Sequence, residues 1–205
     1  MQFSRTKAEP MIQIILVLFL LGAMGGTLGD FFHVVSQTDG YPSSTWVLPF
    51  THQPFWVPLL FGSATVGIGL SHPWLNFKKK SPTQSAIGNL LFLLLYAASA
   101  FLPFKTGGWQ DILMLAGTLI LWLCLDPTWQ GALLALATAL IGTGVEIVLT
   151  HFQIFYYYPR VANFYGVPSW LPWLYTAASI TLGNTGRMLF SLHHTKQPLG
   201  PIRWK

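Results

Sequence analysis

Apolar residues in this chain fall into six long blocks, separated by short segments that are polar or rich in proline. Runs such as LLFLLLY and GALLALATAL do not alternate with a period of two, so they are not typical of transmembrane β-strands. A bilayer core about 30 Å thick is crossed by roughly 20 helical residues. The pattern therefore predicts six transmembrane helices, over 11–35, 54–71, 84–104, 108–125, 131–152 and 169–192.

The connecting segments are too short to form a soluble domain, since even the longest covers only 36–53. We therefore expect one domain over 1–205, an all-α integral membrane bundle. Composition agrees, because 52% of residues are hydrophobic and only 8% are charged, against about a quarter in soluble domains. The single cysteine, Cys124, excludes a disulfide within the chain. The net charge of +5 is best matched by anionic lipid headgroups rather than nucleic acid, because the basic residues lie at the edges of apolar blocks.

Basic residues concentrate on one side of the predicted bundle. The amino tail, the 72–83 loop and the carboxyl tail carry Arg5, Lys7, Lys78, Lys79, Lys80, Lys196, Arg203 and Lys205. The opposite loops carry only Lys105 and Arg160. The positive-inside rule then predicts that both termini face the cytosol. The first block also has features of a signal peptide, but its cleavage would leave five spans and turn the lysine-rich loop outward.

Small and aromatic residues recur at structurally meaningful places. The pairs Gly22/Gly26 and Gly25/Gly29 have the GxxxG spacing that lets helix backbones approach closely, either within the chain or in a homo-oligomer. The aromatic run 155–158 is interpreted as part of an interfacial belt. The same interpretation applies to Trp46, Trp56, Trp74, Trp109, Trp129, Trp170 and Trp173.

Polar residues at membrane depth are costly and are functional candidates. Asp126 and Arg187 lie at the same predicted end of their spans, so they either form a pair or remain separate, with Asp126 solvated and Arg187 reaching the headgroups. We expect Asp126 to sit at a solvated end. Glu146 lies deeper and shares that depth with no obvious cation, so we expect it to be neutral or hydrogen-bonded.

One group of residues suggests chemistry at the opposite end. Asp30 and His33 are three residues apart on one helical face, and His52, Asp111 and His151 are predicted to lie at the same end. A metal or acid–base site there is conceivable, although such histidines more often line an interface. The sequence contains no HExxH, GxSxG or P-loop motif and no metal site is expected.

Four segments resemble the Insig family, in order and over about 54–192. FWVPLLFGSATVGIGLSHPWL resembles the second Insig span, and SWLPWLYTAASITLGNTGRML is still closer to the last. YAASAFLPF and ILWLCLDPTWQG are similar to the segments between them. The resemblance implies a six-helix protein without catalytic activity that binds a sterol or another lipid between its helices. Insig proteins of eukaryotes hold the Scap–SREBP complex in the endoplasmic reticulum and link HMG-CoA reductase to its degradation.

The resemblance also suggests roles for single residues. Asp126 takes the place of a family aspartate needed for Scap binding, and Trp122 matches a tryptophan one turn earlier. Phe92 matches a phenylalanine of the sterol pocket, whereas Trp109, with Gln110 beside it, stands where the family has a pocket glutamine. At or next to Glu146 the family has another glutamine. The short termini and the absence of paired cysteines in the second span suggest a divergent or prokaryotic-type member. We expect it in the endoplasmic reticulum membrane if the source is eukaryotic and in the cell membrane if it is prokaryotic.

We therefore expect a non-enzymatic, lipid-binding regulatory protein. The candidate ligand-binding residues are Phe92, Tyr96, Trp109, Gln110, Thr118, Trp122, Thr143 and Glu146, and the candidate partner-binding residues are Asp126 and Trp122. No cofactor is expected beyond a bound sterol or diacylglycerol-like lipid. The expected partners are a membrane protein with a sterol-sensing domain and further copies of the chain. Alternatives are an integral-membrane enzyme acting on an isoprenoid or lipid through Asp30, His33 and Glu146, a small transporter, and a scaffold with an incidental ligand.

Overall fold

Six helices make up most of the described part of the chain, which in this computed structural model comprises residues 8–43, 46–49, 51–75, 78, 80–102 and 108–194. The helices are α1 (Ala8–Val35), α2 (Trp56–Leu75), α3 (Pro82–Phe101), α4 (Trp109–Leu125), α5 (Trp129–His151) and α6 (Leu171–His194). Two short strands, β1 (Asp39–Gly40) and β2 (Tyr156–Tyr157), pair between the connections. The predicted all-α, six-helix fold is confirmed.

The helix ends differ from the predicted spans by a few residues. The largest difference is at α2, which continues past 71, through Pro73, to Leu75. Ser81 caps α3 by accepting a hydrogen bond from the Gln84 backbone nitrogen, and Thr128 caps α5 through Gly131 in the same way. Several predicted positions lie outside the described residues, namely Arg5, Lys7, Lys79, Lys105, Lys196, Arg203, Lys205 and the end of the third span at 103–104.

The helices differ in how apolar they are. By length and composition alone, α1, α3 and α5 suffice to cross a membrane, and α4 is apolar but shorter. Large side chains such as Leu20, Leu94 and Leu140 are more than half exposed on the outside of the bundle, as expected for a surface that faces lipid. We name the end that carries Lys78, Lys80 and Asp126 the basic end, and the end that carries the 36–54 connection the loop end.

Helix α6 is the centre of the bundle and contacts each of the other five helices. Its buried surface is unusually polar, with Ser179, Thr181, Asn184, Thr185, Arg187 and Ser191 all at most 4% exposed. Several of these hydroxyls donate to carbonyls of α6 itself, for example Thr181 to Ala177 (3.0 Å) and Ser191 to Arg187 (2.7 Å). Polar groups in a membrane protein need such internal partners because hydrocarbon offers none. These polar residues make α6 less hydrophobic than α1, α3 and α5.

Glycines set the closest helix contacts. A Cβ at Gly186 of α6 would lie 1.9 Å from the Gly69 carbonyl oxygen of α2, so the two backbones touch there. On α1, Gly22 and Gly26 pack against Thr65 and Phe61 of α2. The first GxxxG pair therefore serves packing within the chain.

A buried ion pair joins α6 to the end of α4. Arg187 Nη1 lies 2.6 Å from Asp126 Oδ2, and both side chains are fully buried. His72 Nδ1 lies 3.8 Å from the same oxygen, and Thr128 donates to Oδ1 (2.9 Å). Of the two alternatives left open for Asp126 and Arg187, the structure shows the pair, and the expectation of a solvated Asp126 is wrong. Residues from α2 and α6 and the start of α5 close over the carboxylate and exclude water.

Lys80 closes the same end from the α2–α3 connection. Its Nζ donates a hydrogen bond to the carbonyl oxygen of Leu125, the last residue of α4. Burial lowers the pKa of Lys80, and the nearby Asp126 carboxylate opposes this effect by favouring the charged amine. The C-terminus of α4 is thereby capped by a cation, which the helix dipole favours.

At the loop end, backbone hydrogen bonds join the α1–α2 connection to the α5–α6 connection. Asp39 pairs with Tyr157 and Gly40 with Tyr156 across β1 and β2, and the Tyr158 amide donates to Thr38 (3.0 Å). The run 155–158 alternates, with Phe155 and Tyr157 buried and Tyr156 exposed. The interpretation of this run as an interfacial belt is therefore wrong for its buried members. It is also wrong for Trp170, which is 2% exposed because it packs against the His33 ring.

The contact between Gly186 and Gly69 leads to a stability prediction. Gly186→Ala would place a methyl group against the α2 backbone, and the strain should destabilise the bundle by about 1–3 kcal/mol. Gly67→Ala is the matched control, because a Cβ at Gly67 meets nothing within 4 Å. Heating each variant in detergent, followed by size-exclusion chromatography, measures the temperature at which half of the folded protein is lost. Equal midpoints for the two variants would contradict the close approach.

The buried ion pair leads to a second prediction. Asp126→Asn leaves the Arg187 guanidinium buried without its anion and should cost about 3–5 kcal/mol. Adding Arg187→Gln should recover part of that loss, since both charges are then gone. Asp111→Asn, which removes a partly exposed carboxylate, should change the thermal midpoint little. A double variant no more stable than Asp126→Asn would argue against the pair.

Candidate functional site

A cavity of about 260 Å³ lies among five of the six helices. Its wall is mostly apolar, and every helix except α4 contributes to it. Representative lining residues are Gly25 of α1, Phe61 of α2, Phe92 of α3, Glu146 of α5 and Leu174 of α6. The volume approaches the lower limit of typical small-molecule pockets, about 300 Å³.

The cavity opens between α1 and α3. These helices touch where the Tyr96 ring covers Gly29, since a Cβ at Gly29 would lie 2.3 Å from that ring. One turn earlier a Cβ at Gly25 would meet nothing within 4 Å, and Leu90 on the facing helix is 58% exposed although it lines the cavity. An opening between two lipid-facing helices leads sideways, in the direction of the membrane.

Glu146 is the acidic group of the wall. It keeps some accessible surface, and its two carboxylate oxygens accept hydrogen bonds from the hydroxyls of Tyr157 and Tyr175. The expectation of a hydrogen-bonded Glu146 is confirmed. Tyr157 belongs to β2, so this bond connects the cavity wall to the paired connections at the loop end.

Asn89 of α3 is the second polar group of the wall. Its Nδ2 donates to the Thr185 hydroxyl (2.9 Å), which in turn donates to the Thr181 carbonyl (3.1 Å). Because the Thr185 proton is used in this way, Thr185 must accept from the amide nitrogen, and the orientation of the amide is defined. The Asn89 Oδ1 atom is buried and has no hydrogen-bond partner in the described part of the chain.

A buried polar network lies between the cavity and the loop end. Asp30 accepts hydrogen bonds from Tyr41 (2.8 Å) and Gln53 (2.7 Å). His33 Nε2 lies 2.8 Å from Ser99 Oγ, and its Nδ1 lies 3.7 Å from Asp39 Oδ2. Burial raises the pKa of Asp39 well above its usual value, and the negative charge of Glu146 adds to the effect. The network is satisfied mainly by its own members.

The five residues suggested for a metal or acid–base site are not brought together. Asp111 accepts from Ser169 (3.0 Å), and His52 and His151 are exposed. Among the described residues, no hydrogen bond or ion pair links these three to Asp30 or His33, and no group of three or more His, Cys, Asp or Glu side chains is arranged to hold a metal ion.

Three of the eight candidate ligand-binding residues, Phe92, Tyr96 and Glu146, line the cavity. The other five lie elsewhere. Trp109 is 62% exposed at the start of α4, Thr143 is buried on α5, and Trp122 packs against the cluster around Leu121. Gln110 donates a hydrogen bond to the Ser99 carbonyl (2.6 Å), and Thr118 donates one to the Trp173 carbonyl (2.9 Å).

Sequence reasoning missed Gly25, Asn89 and Tyr175 as lining residues. Gly25 belongs to the second GxxxG pair, and Asn89 is a lone amide directly before the apolar run LLFLLLY. Both positions were therefore recognisable in the sequence as unusual for a lipid-facing helix. Tyr175 carried none, because one tyrosine in an aromatic-rich span is not distinguishable from its neighbours.

Comparisons with known proteins give one consistent result. The chain is 31% identical over 188 residues to an INSIG protein homolog of Mycolicibacterium vanbaalenii, covering 90% of this chain and 89% of that protein. It is 29% identical over 181 residues to the insulin-induced gene 1 protein of Danio rerio, covering 85% and 71% respectively. No protein-family model matches the chain.

Solved structures agree with the sequence comparison. The crystal structure of a mycobacterial Insig homolog from Mycobacterium vanbaalenii superposes with a TM-score of 0.82 at 29% identity, covering 88% of this chain and 95% of that one. A cross-linked trimer of the same homolog matches equally well. With this identity over nine-tenths of its length and the same arrangement of helices, the chain belongs to the Insig family.

Proposed function

We propose that this multi-pass membrane protein is a non-enzymatic, Insig-like regulator that binds a sterol or diacylglycerol-like lipid in the cavity between its helices. The observation that carries the proposal is the apolar cavity with its opening between α1 and α3. A ligand that already resides in the bilayer can enter by this route without crossing water.

Physical chemistry explains why such a cavity would be selective. An apolar ligand gains little by moving from lipid to an equally apolar protein surface, so shape and a few polar contacts must distinguish one lipid from another. Glu146 of α5 and Asn89 of α3 offer such contacts in a mostly apolar wall. The size of the cavity suits the rigid part or the headgroup of a lipid better than a whole two-chain molecule.

Ligand occupancy can influence a partner because five helices share the cavity wall. If a membrane partner, such as one with a sterol-sensing domain, prefers the occupied form, the ligand must bind more tightly when the partner is present. The Asp126 carboxylate is fully buried. Its role in partner binding would therefore be to fix the shape of the basic end, next to the partly buried Trp122, rather than to contact the partner.

The enzymatic alternative has less support. Of its three residues, Glu146 lines the cavity, whereas Asp30 and His33 lie in the neighbouring network with their polar atoms engaged. A reacting lipid in the cavity would meet one carboxylate whose oxygens already accept two tyrosine hydroxyls. General acid–base catalysis needs a group within hydrogen-bond reach of the substrate proton that it moves.

Binding in the cavity leads to a prediction. Gly25→Leu adds a side chain to the open part of the cavity and should reduce saturable binding of labelled cholesterol and labelled diacylglycerol by at least about tenfold, because the space is then filled. Scintillation proximity binding to the purified protein measures the loss.

Gly144→Leu on α5 is the matched control, because a Cβ there also meets nothing within 4 Å and Gly144 does not line the cavity. Unchanged binding in Gly25→Leu would contradict the assignment of the site. The absence of saturable binding of either lipid by the unmodified protein would overturn the proposed function.

We also propose that the chain self-associates, as its mycobacterial relative does in the cross-linked trimer crystal. Native mass spectrometry from a mild detergent should show a trimer as the main species. Its fraction should fall on dilution if the contacts are non-covalent. A monomer at all concentrations and in several detergents would contradict this proposal, and it would leave the cavity assignment unaffected.

A further inference from the structure

Two polar side chains of the cavity wall, Glu146 and Asn89, present hydrogen-bond acceptors, beside the hydroxyls of Thr65, Tyr96 and Tyr175. The Glu146 carboxylate accepts one tyrosine hydroxyl on each oxygen. An ionised carboxylate has about four lone-pair sites, so capacity remains on both oxygens. Asn89 Oδ1 is a further acceptor, buried and without a partner among the described residues. A ligand group that donates hydrogen bonds would satisfy these atoms, whereas one that only accepts them would not.

The buried titratable groups around this part of the cavity are mainly carboxyls. The buried carboxyls at the loop end are Asp30, Asp39 and Glu146, and the basic group that lies among them is His33. The buried cationic groups Arg187 and Lys80 lie at the basic end, engaged with Asp126 and the end of α4. Arg160 at the loop end is exposed and donates to the Ser36 and Gln37 carbonyls. In the low dielectric of a membrane interior, charges interact far more strongly than in water. A second negative charge beside Glu146 would therefore be strongly disfavoured.

We propose that Glu146 determines the class of lipid that the cavity accepts: lipids whose polar group donates a hydrogen bond and is neutral or cationic, and not lipids whose polar group is an anion. This inference rests on the proposed lipid-binding function and narrows it. Alcohols and amines can donate to the free lone pairs of Glu146, while a carboxylate or phosphate brings repulsion and no donor.

The roles of Tyr157 and Tyr175 follow from the same geometry. Their hydroxyls hold the carboxylate from two sides, Tyr175 from α6 and Tyr157 from β2, and this fixes the direction of the remaining lone pairs. They are positioning residues in this view. Glu146 is the group that contacts the ligand.

The experiment compares three probes with the same C18 chain: oleyl alcohol, oleylamine and oleate. Each competes with radiolabelled oleyl alcohol for the purified protein, and the cavity-blocked Gly25→Leu variant gives the background from detergent partitioning. The unmodified protein should bind the alcohol and the amine at least about tenfold more tightly than oleate, because only oleate places a negative charge next to the carboxylate.

Three variants identify the residue responsible. Glu146→Gln should raise the affinity for oleate at least about tenfold and lower the affinity for oleylamine, with a smaller change in the affinity for oleyl alcohol. Glu146→Asp should retain the discrimination because it keeps the charge. Asp111→Asn, which removes a carboxylate of the same end outside the cavity, should behave like the unmodified protein.

The outcomes separate this inference from the proposed function. Saturable binding of all three probes with equal affinity would overturn the selectivity and leave lipid binding intact. Discrimination that persists in Glu146→Gln would assign it to another group and overturn the role of Glu146. If Glu146→Gln does not fold, the ranking of the three probes on the unmodified protein and on Glu146→Asp still decides whether anions are rejected. No saturable binding of any probe would overturn both proposals.

Discussion

The need to pair every polar group inside hydrocarbon governs this structure. Helix α6 carries hydroxyls, an amide and a guanidinium. These groups are tolerated because the other five helices pack around α6 and keep them away from the lipid. Its hydroxyls bond to its own carbonyls, and Arg187 reaches the Asp126 carboxylate at the end of α4. A polar central helix inside an apolar ring is the reverse of a soluble bundle. It also explains why the helices best suited by composition to face lipid are outer ones, such as α1 and α5.

Two kinds of contact divide the bundle along its length. Towards the basic end, the backbones of α2 and α6 touch at Gly69 and Gly186, and a buried ion pair holds α4 in place. Farther towards the loop end, α1 and α3 meet where Tyr96 covers Gly29 and where His33 bonds to Ser99, whereas a Cβ at Gly25 would meet nothing within 4 Å. Tight packing at one end and a gap elsewhere in the bundle allow one chain to be stable and still contain a cavity.

Hydropathy was enough to predict six helices, because each span is a long apolar run, and matched depth was enough to suggest the contact between Asp126 and Arg187. Inward-facing positions were harder, since a residue that faces lipid and one that faces the core are both apolar. Thr118 and Thr143 therefore entered the candidate site although they do not line the cavity. The burial of Asp126 and Tyr157 depends on residues far away in the sequence, and local composition instead suggested a solvated end and an aromatic belt.

The opening between α1 and α3 has a consequence for the setting in which the protein works. Under the proposed lipid binding, acyl chains press on both helices from the side, and the width of the gap next to Gly25 and Leu90 should respond to that pressure as well as to an occupant. Bilayer thickness, chain saturation and curvature should then enter the proposed binding equilibrium directly. The affinity measured in a micelle is then a property of the micelle too, and only reconstitution in bilayers of defined lipids gives the value that applies in a cell.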